Sequence, residues 1–369
     1  MIQGEPVPVA TAAVHCTVAH RDITCRPITK GELHPMSLII EARNLTKRYR
    51  DHLAVNNVDL HIREGEIFGI LGPNGAGKTT TLEMIEGLRA PDSGTITVDG
   101  IDAIAESARV RRIIGVQLQS TALFPYLTSA ELIELFASIY DVPDPASRVP
   151  ELLRLVDLED KARAKVDEMS GGQQQRLSIA LALVNQPRVT FLDEPTTGLD
   201  PHARRNLWET ILGVRKAGTT VVLTTHYMEE AEVLCDRVAI MDEGQVIACD
   251  TPAGLIRVLD LEGTVSASIE GNATIAESDL SGLPGVVTAA ISSPDSIRRL
   301  TMQSNDAQAT ITSLLQLAHD RGIILGDLGS TRATLEDVFL ARTGRSYADH
   351  EEQPPEEPAT KQRRGRRAA

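Results

Sequence analysis

Aromatic residues are scarce in this 369-residue chain. They make up 3% of it, as five Phe, five Tyr and one Trp. So few rings cannot supply the stacking platforms on which single-stranded nucleic acids lie. A positive balance is missing as well: 37 Lys and Arg face 51 Asp and Glu, a formal net charge of −14. That is the wrong sign for neutralising duplex phosphates, so nucleic acid is not expected as a partner. Cysteine occurs only at positions 16, 25, 235 and 249, with no Cys-x-x-Cys pair. A disulfide framework is thereby excluded and a reducing, cytosolic setting expected. Long apolar runs are lacking too. The longest, residues 177–184, is interrupted by Ser178, well short of the roughly 20 residues that cross a bilayer. The first residues have neither the basic nor the apolar region of a secretory signal. What the chain does have is 42% hydrophobic residues, enough for packed cores, and a length that allows two or three domains.

Residues 1–36 hold three prolines before Pro35 and no clean periodicity, and are expected to be a disordered extension, with Met36 as an alternative start. His15, Cys16, His20, Cys25 and His34 lie here, but their spacing fits no zinc pattern. The first domain is expected over residues 37–251. Within it, 38–42 and 58–62 alternate like half-buried strands, and 66–71 is a short apolar strand that runs into a Gly-rich loop. Helical spacing follows over 79–88, 129–140, 150–156 and 170–184, with buried strands at 189–192 and 221–224. Strands alternating with helices imply an α/β core around a parallel sheet. A second, smaller α/β domain is expected over 252–342, with strands at 264–269, 286–292 and 323–328 and a helix over 307–321, its sheet antiparallel or mixed. Residues 343–369 read as a disordered charged tail. Glu351, Glu352, Glu356 and Glu357 sit among prolines there, and Lys361, Arg363, Arg364, Arg366 and Arg367 follow.

The strongest chemical signal is Gly72-Pro73-Asn74-Gly75-Ala76-Gly77-Lys78-Thr79, which fits G-x-x-x-x-G-K-[ST] between a strand and a helix. Glycines let backbone N–H groups turn inward on a phosphate, and the helix that follows aims its positive end at the same point. These eight residues and Thr80 are candidate nucleotide-binding residues. Lys78 is expected to reach the β- and γ-phosphates, and Thr79 to offer its hydroxyl to Mg²⁺. The second signal is an apolar strand ending in Asp193-Glu194. Asp193 is a candidate magnesium ligand, and Glu194 a candidate base for an attacking water. The third is Ser170-Gly171-Gly172-Gln173, 23 residues before Asp193, where a Ser and two glycines open another helix. One nucleotide does not need two anion-binding termini from one chain. A two-fold dimer resolves this, each chain's second terminus capping the other's γ-phosphate.

Taken together, these motifs resemble those of the ATP-binding cassette (ABC) ATPases, with Met169 where Leu is usual before Ser170. The resemblance implies a P-loop cassette: a parallel RecA-like core, an antiparallel β subdomain and a helical subdomain. It implies further roles by position. Gln119 resembles the Gln loop that senses Mg²⁺ and water and faces the membrane partner; Gln117 is a rival two residues away, and spacing favours Gln119. His226 resembles the switch histidine that contacts the γ-phosphate. Asp200, in Gly198-Leu199-Asp200, resembles the loop that crosses the dimer interface, and Tyr49 the aromatic that stacks on adenine. Thr334-Leu335-Glu336-Asp337-Val338-Phe339 and the residues up to Gly344 are similar to the ending of cassette subunits in the ABC-2 exporter group, the daunorubicin-resistance type. By themselves they also make an ordinary helix start, Thr334 followed by an acidic first turn. The implied function is that of a Mg²⁺-dependent ATPase subunit. It would power export of a drug-like, lipid or glycan substrate through a separate membrane-spanning permease. It would work as a homodimer held at the cytoplasmic face of the membrane, with its docking surface near Gln119 and residues 122–127, including Phe124 and Tyr126. An importer ATPase is an alternative, as is a soluble cassette ATPase acting on ribosomes or DNA. Against the latter, the phosphate loop occurs once, and only 92 residues separate Lys78 from Ser170, with no sustained heptads between them.

Overall fold

The structure is a computed structural model that describes residues 37–117, 123–270, 275–292 and 298–345. A six-stranded sheet organises the first three quarters of these residues. Its order is Gln245–Asp250, Arg237–Asp242, Ile67–Leu71, Thr220–Thr225, Val189–Asp193, Ile114–Gln117. Every pairing is parallel except the first. Ile67–Leu71, Val189–Asp193 and Thr220–Thr225 are buried at every position, as strands covered on both faces must be. Side chains alternate across such strands, and two cores result. Phe68, Ile70, Phe191 and Val222 join one, while Ile67, Leu71, Leu192, Val221 and Leu223 join the other.

The first core is closed by the helix Lys78–Ile85 and by an antiparallel sheet of order His52–Arg63, Leu38–Tyr49, Ser93–Val98, Ile101–Asp102. The expected strands at 38–42 and 58–62 are thus parts of two twelve-residue strands joined at Arg50-Asp51, where Arg50 takes a left-handed φ of 52°. The second core is closed by the helices Gly171–Ala182, Pro201–Lys216 and Met228–Leu234, together with a helical pair, Ser129–Ile139 and Pro145–Leu155. The first of that pair starts at a capping box between Thr128 and Glu131.

Residues 263–332 form a third sheet with its own core. The order is Val286–Ser292, Arg298–Ser304, Gly263–Glu270, Ile324–Arg332, all antiparallel. The helix Ala307–Asp320 lies against it, and Val265, Ala267, Leu300, Met302 and Leu314 fill the space between. Arg298–Ser304 was not expected from the sequence, since it opens on two arginines and buries only Leu300, Met302 and Ser304. The chain then returns to the first unit. The helix Leu335–Thr343 places Leu335, Val338 and Phe339 in the core that holds Ala231, Leu234 and Leu255. No helix among the described residues is long and apolar enough to cross a membrane.

Candidate functional site

The carboxyl ends of Ile67–Leu71, Val189–Asp193 and Thr220–Thr225 lie side by side, the edge where parallel sheets bind ligands. Each strand delivers one part of the site. From the first comes the loop 72–77, tied to the third strand by the Gly72 N–H donating to the Thr225 carbonyl at 3.3 Å. Gly77 has a left-handed φ of 97°, and a Cβ on it would stand 2.3 Å from the Ala54 carbonyl oxygen, so only glycine fits. It caps the helix Lys78–Ile85 without any side-chain hydrogen bond. The N–H groups of that helix start therefore face outward with no side chain of their own in the way, an arrangement suited to a phosphate.

Lys78 is buried, and its Nζ donates to the carbonyl oxygens of Gly72 at 2.9 Å and Pro73 at 3.1 Å. It lies 3.3 Å from Glu194 Oε1. Burial pushes the ammonium pKa down, and the Glu194 and Asp193 carboxylates oppose that. Glu194 follows the second strand with a left-handed φ of 45°, a conformation a bulky residue adopts only when its surroundings hold it there. His226 Nδ1 stands 3.4 Å from Glu194 Oε2, on the far side from Lys78. The His226 ring, foremost, and then the Lys78 charge hold the Glu194 carboxyl down at about 2, against the opposing effect of burial. Asp193 is pushed the other way by burial, partly offset by hydroxyl donors. Those donors are Thr79 Oγ1, at 3.2 Å from Asp193 Oδ1, and Thr224 Oγ1 on the same oxygen. Thr224 also accepts from the Glu194 N–H at 2.9 Å. One threonine thus sets both acids, a role that a Thr inside an apolar strand does not announce in sequence.

The Thr79 hydroxyl and the Asp193 carboxylate offer adjacent hard oxygen donors, and Mg²⁺ is a hard cation that takes one or two protein oxygens beside substrate phosphates. The residues fit the ion. Among the described residues no group of three or more His, Cys, Asp or Glu could hold a metal. Pro73 and Ala76 are buried within the loop, Asn74 and Gly75 are exposed, and Thr80 is half-buried on the helix. Gln119 lies outside the described residues, as do His15, Cys16, His20, Cys25 and His34.

Two predicted positions stand elsewhere. The Tyr49 ring is partly exposed with the Arg89 guanidinium 5.4 Å from its centroid. It does not line the cavity beside the loop, which is walled by His52, Leu53, residues 73–76, Asp242, Glu243 and Arg345. Ser170-Gly171-Gly172-Gln173 starts the helix Gly171–Ala182 and forms a separate hollow with Asp200, His202 and Asn206. Ser170 and Gly171 are exposed. Ser170 caps the helix by accepting from the Gln173 N–H at 3.4 Å, and Gln173 Oε1 accepts from the Ser170 N–H at 3.0 Å. Asp200 caps the helix Pro201–Lys216 through the His202 and Ala203 N–H groups. Met169 is buried in the helical core, where its Sδ accepts from the Ser129 hydroxyl at 3.4 Å. A side-chain bond links the helix Gly171–Ala182 to the acids: Gln175 Nε2 donates to the carbonyl of Pro195, one residue past Glu194, at 2.7 Å.

Residues 55–197 match the family model described as ABC transporter. The chain is 38% identical over 328 residues to the Nod factor export ATP-binding protein I of Burkholderia orbicola (strain AU 1054), with 84% of this chain and 98% of that protein aligned. The chain belongs to the ABC transporter ATP-binding proteins. The cassette is also 35% identical over 322 residues to the linearmycin resistance ATP-binding protein LnrL of Bacillus subtilis (strain 168), with 84% and 100% coverage. Among solved structures it is similar to a dimeric ATP-binding cassette in a post-hydrolysis state, bound to ADP and Pi. There the TM-score is 0.53 and the identity 32%, over 57% of this chain and 98% of the other. The P-loop cassette fold and the ATPase family expected from the motifs are therefore borne out.

Proposed function

We propose that this cassette is the ATP-hydrolysing half of an ABC-2-type exporter, and that two copies close on two nucleotides. The observation that carries the reading is the convergence of Lys78, Thr79, Asp193, Glu194 and His226 at one sheet edge, while Ser170, Gly172 and Gln173 line a separate hollow. The loop 72–79 and Thr80 hold the phosphates, with Lys78 exchanging its carbonyl partners for phosphate oxygens. Thr79 and Asp193 hold Mg²⁺, with Gln119 as a further contact; the ion supplies charge neutralisation on the phosphate oxygens. Glu194 accepts the proton of the attacking water. Its carboxylate is already ionised, and loss of Lys78 to a phosphate leaves it paired with His226 alone, which raises its basicity. His226 then orients toward the γ-phosphate from the opposite side. Ser170, Gly171, Gly172 and Gln173 of the second copy close the site, with Asp200 at the seam and Tyr49 as the base-stacking ring. Most of the rate comes from positioning and preorganised charge, as in phosphoryl transfer generally.

Export rests on the likeness to Nod factor export and linearmycin resistance proteins over nearly their whole length, more than the cassette alone. The permease surface lies around Phe124 and Tyr126, which are 55% and 79% exposed just ahead of the helix Ser129–Ile139. Neighbouring exposed aromatic side chains of this kind suit a protein interface. Substrate choice, whether drug-like, lipid or glycan, resides in that permease. The test is purification of tagged Glu194→Gln from gently solubilised membranes with Mg·ATP. A polytopic protein at one-to-one ratio is expected. Ribosomal or DNA-binding proteins with no membrane protein would overturn the exporter reading and leave the ATPase core.

A further inference from the structure

Strand Arg237–Asp242 and strand Gln245–Asp250 are joined by the tight turn Glu243-Gly244, which forms the outer wall of the phosphate loop. It touches the loop at both ends. A Cβ on Gly72 would stand 2.3 Å from the Met241 carbonyl oxygen, and the Gly244 N–H donates to the Ala76 carbonyl at 3.1 Å. Gly244 is held from behind by the Asn56 N–H, which donates to its carbonyl at 2.8 Å. Any displacement of this turn is therefore transmitted to residues 72–76. The turn is gripped at its tip from 102 residues further along the chain. Arg345 Nη2 stands 3.0 Å from Asp242 Oδ2 and 2.9 Å from Glu243 Oε1, and the same Arg345 lines the cavity beside residues 73–76.

Arg345 is placed by the helix Leu335–Thr343, which ends on Gly344 in a left-handed cap with a φ of 69°. The opposite end of this helix is held by the Leu335 N–H donating to Glu232 Oε1 at 2.7 Å. Glu232 belongs to the helix Met228–Leu234, which begins two residues after His226. One short helix, which follows the third sheet strand Ile324–Arg332, is thus docked on the helix Met228–Leu234 at one end and sets Arg345 against the phosphate-loop turn at the other. An exposed ion pair contributes little stability. Asp242, however, is buried, and the single nitrogen Nη2 takes both acids at once, so the guanidinium bridges two consecutive residues at the turn.

We propose that Arg345 is a positioning residue for the phosphate loop, through which the docked C-terminal helix sets the loop's affinity for nucleotide. The proposal rests on the nucleotide-binding reading of residues 72–79. The test uses the full chain, a fluorescent ATP analogue for direct binding, steady-state ATPase kinetics and thermal unfolding, with Lys78→Ala as the reference for lost binding. Arg345→Ala is expected to weaken nucleotide binding and raise KM by about fivefold, at the lower end of intramolecular coupling, with kcat and the unfolding midpoint unchanged. Arg345→Lys restores most of the affinity, and the exchanged pair Arg345→Glu with Glu243→Arg binds more tightly than Arg345→Glu alone. Unaltered binding in Arg345→Ala would overturn the proposal. So would equal losses in Arg345→Ala and Arg345→Lys that track a fall in the unfolding midpoint, since the contact would then be structural only. A wild-type chain that binds the analogue no better than Lys78→Ala would overturn the underlying reading of the loop, and this proposal with it.

Discussion

Two helices in this molecule begin with glycines, and they are built in opposite ways. The start of Lys78–Ile85 is enclosed. Gly77 is wedged against Ala54, no side chain caps the helix, and Lys78 is buried among carbonyl and carboxylate oxygens. The start of Gly171–Ala182 is exposed and closed on itself by the reciprocal bonds of Ser170 and Gln173. An enclosed, uncapped terminus is ready to take a phosphate within its own chain. An exposed terminus that has capped itself offers its chemistry outward. The difference separates residues that bind from residues that complete.

That separation is open to direct attack. The largest effect is expected at the enclosed terminus. Lys78→Ala should lower both nucleotide affinity and turnover, the latter by about 10³, as read by equilibrium binding and phosphate release; retention of either would place the phosphates elsewhere. Next comes Glu194→Gln, which should cut kcat by about 10² while leaving ATP affinity intact, the split expected when a proton acceptor is lost. A parallel loss of binding would make Glu194 a structural partner of Lys78 instead. Ser170→Arg should lower kcat by roughly tenfold or more yet leave nucleotide binding to the isolated chain unchanged, because the altered residue completes a site it does not belong to. The smallest effect sharpens the contrast in burial. Glu86, at the far end of the phosphate-loop helix, is 2% exposed and its carboxyl is pushed up to about 8, by burial first and then by the charges of Asp193 and Glu83. A carboxyl raised above its unfolded value of 4.5 gives stability that is whole below that pH and is lost as pH rises through the folded value. Glu86→Gln should therefore gain a few degrees in unfolding midpoint over wild type between pH 5 and pH 8, and a constant difference across that window would show the carboxyl to be normal.

The enclosed half was legible because its instructions are local. Eight consecutive residues specify the loop, and the apolar runs before Asp193 and before His226 state that these groups emerge from buried strands. The parallel centre of the core, Ile67–Leu71, Val189–Asp193 and Thr220–Thr225, follows from the same runs, whereas Ile114–Gln117, Arg237–Asp242 and the antiparallel Gln245–Asp250 were not read from the sequence. What could not be read depends on distant partners. Thr224 looks like any strand threonine until Asp193 and Glu194 are placed on the neighbouring strand. Strand Arg298–Ser304 is concealed by its two leading arginines and gains its place only between Gly263–Glu270 and Val286–Ser292. The motif around Thr334–Phe339 reads equally as a plain helix start, and only the folded chain shows that Phe339 enters the cassette core while Arg345 reaches the phosphate-loop turn. The base-stacking role proposed for Tyr49 rests on its place in the chain alone; the neighbour its ring has in the fold, Arg89, was not announced by the sequence.

The central claim is that binding and completing residues act across two copies of the chain. Mixing purified Lys78→Ala with Ser170→Arg tests it most directly. Each variant alone carries two defective sites. A mixed dimer places both defects in one site and leaves the other intact, so an equal mixture should regain about a quarter of wild-type ATPase activity under two-fold symmetry. Activity that stays at the level of the two separate variants, with mixed dimers demonstrated by differential tags, would contradict the account.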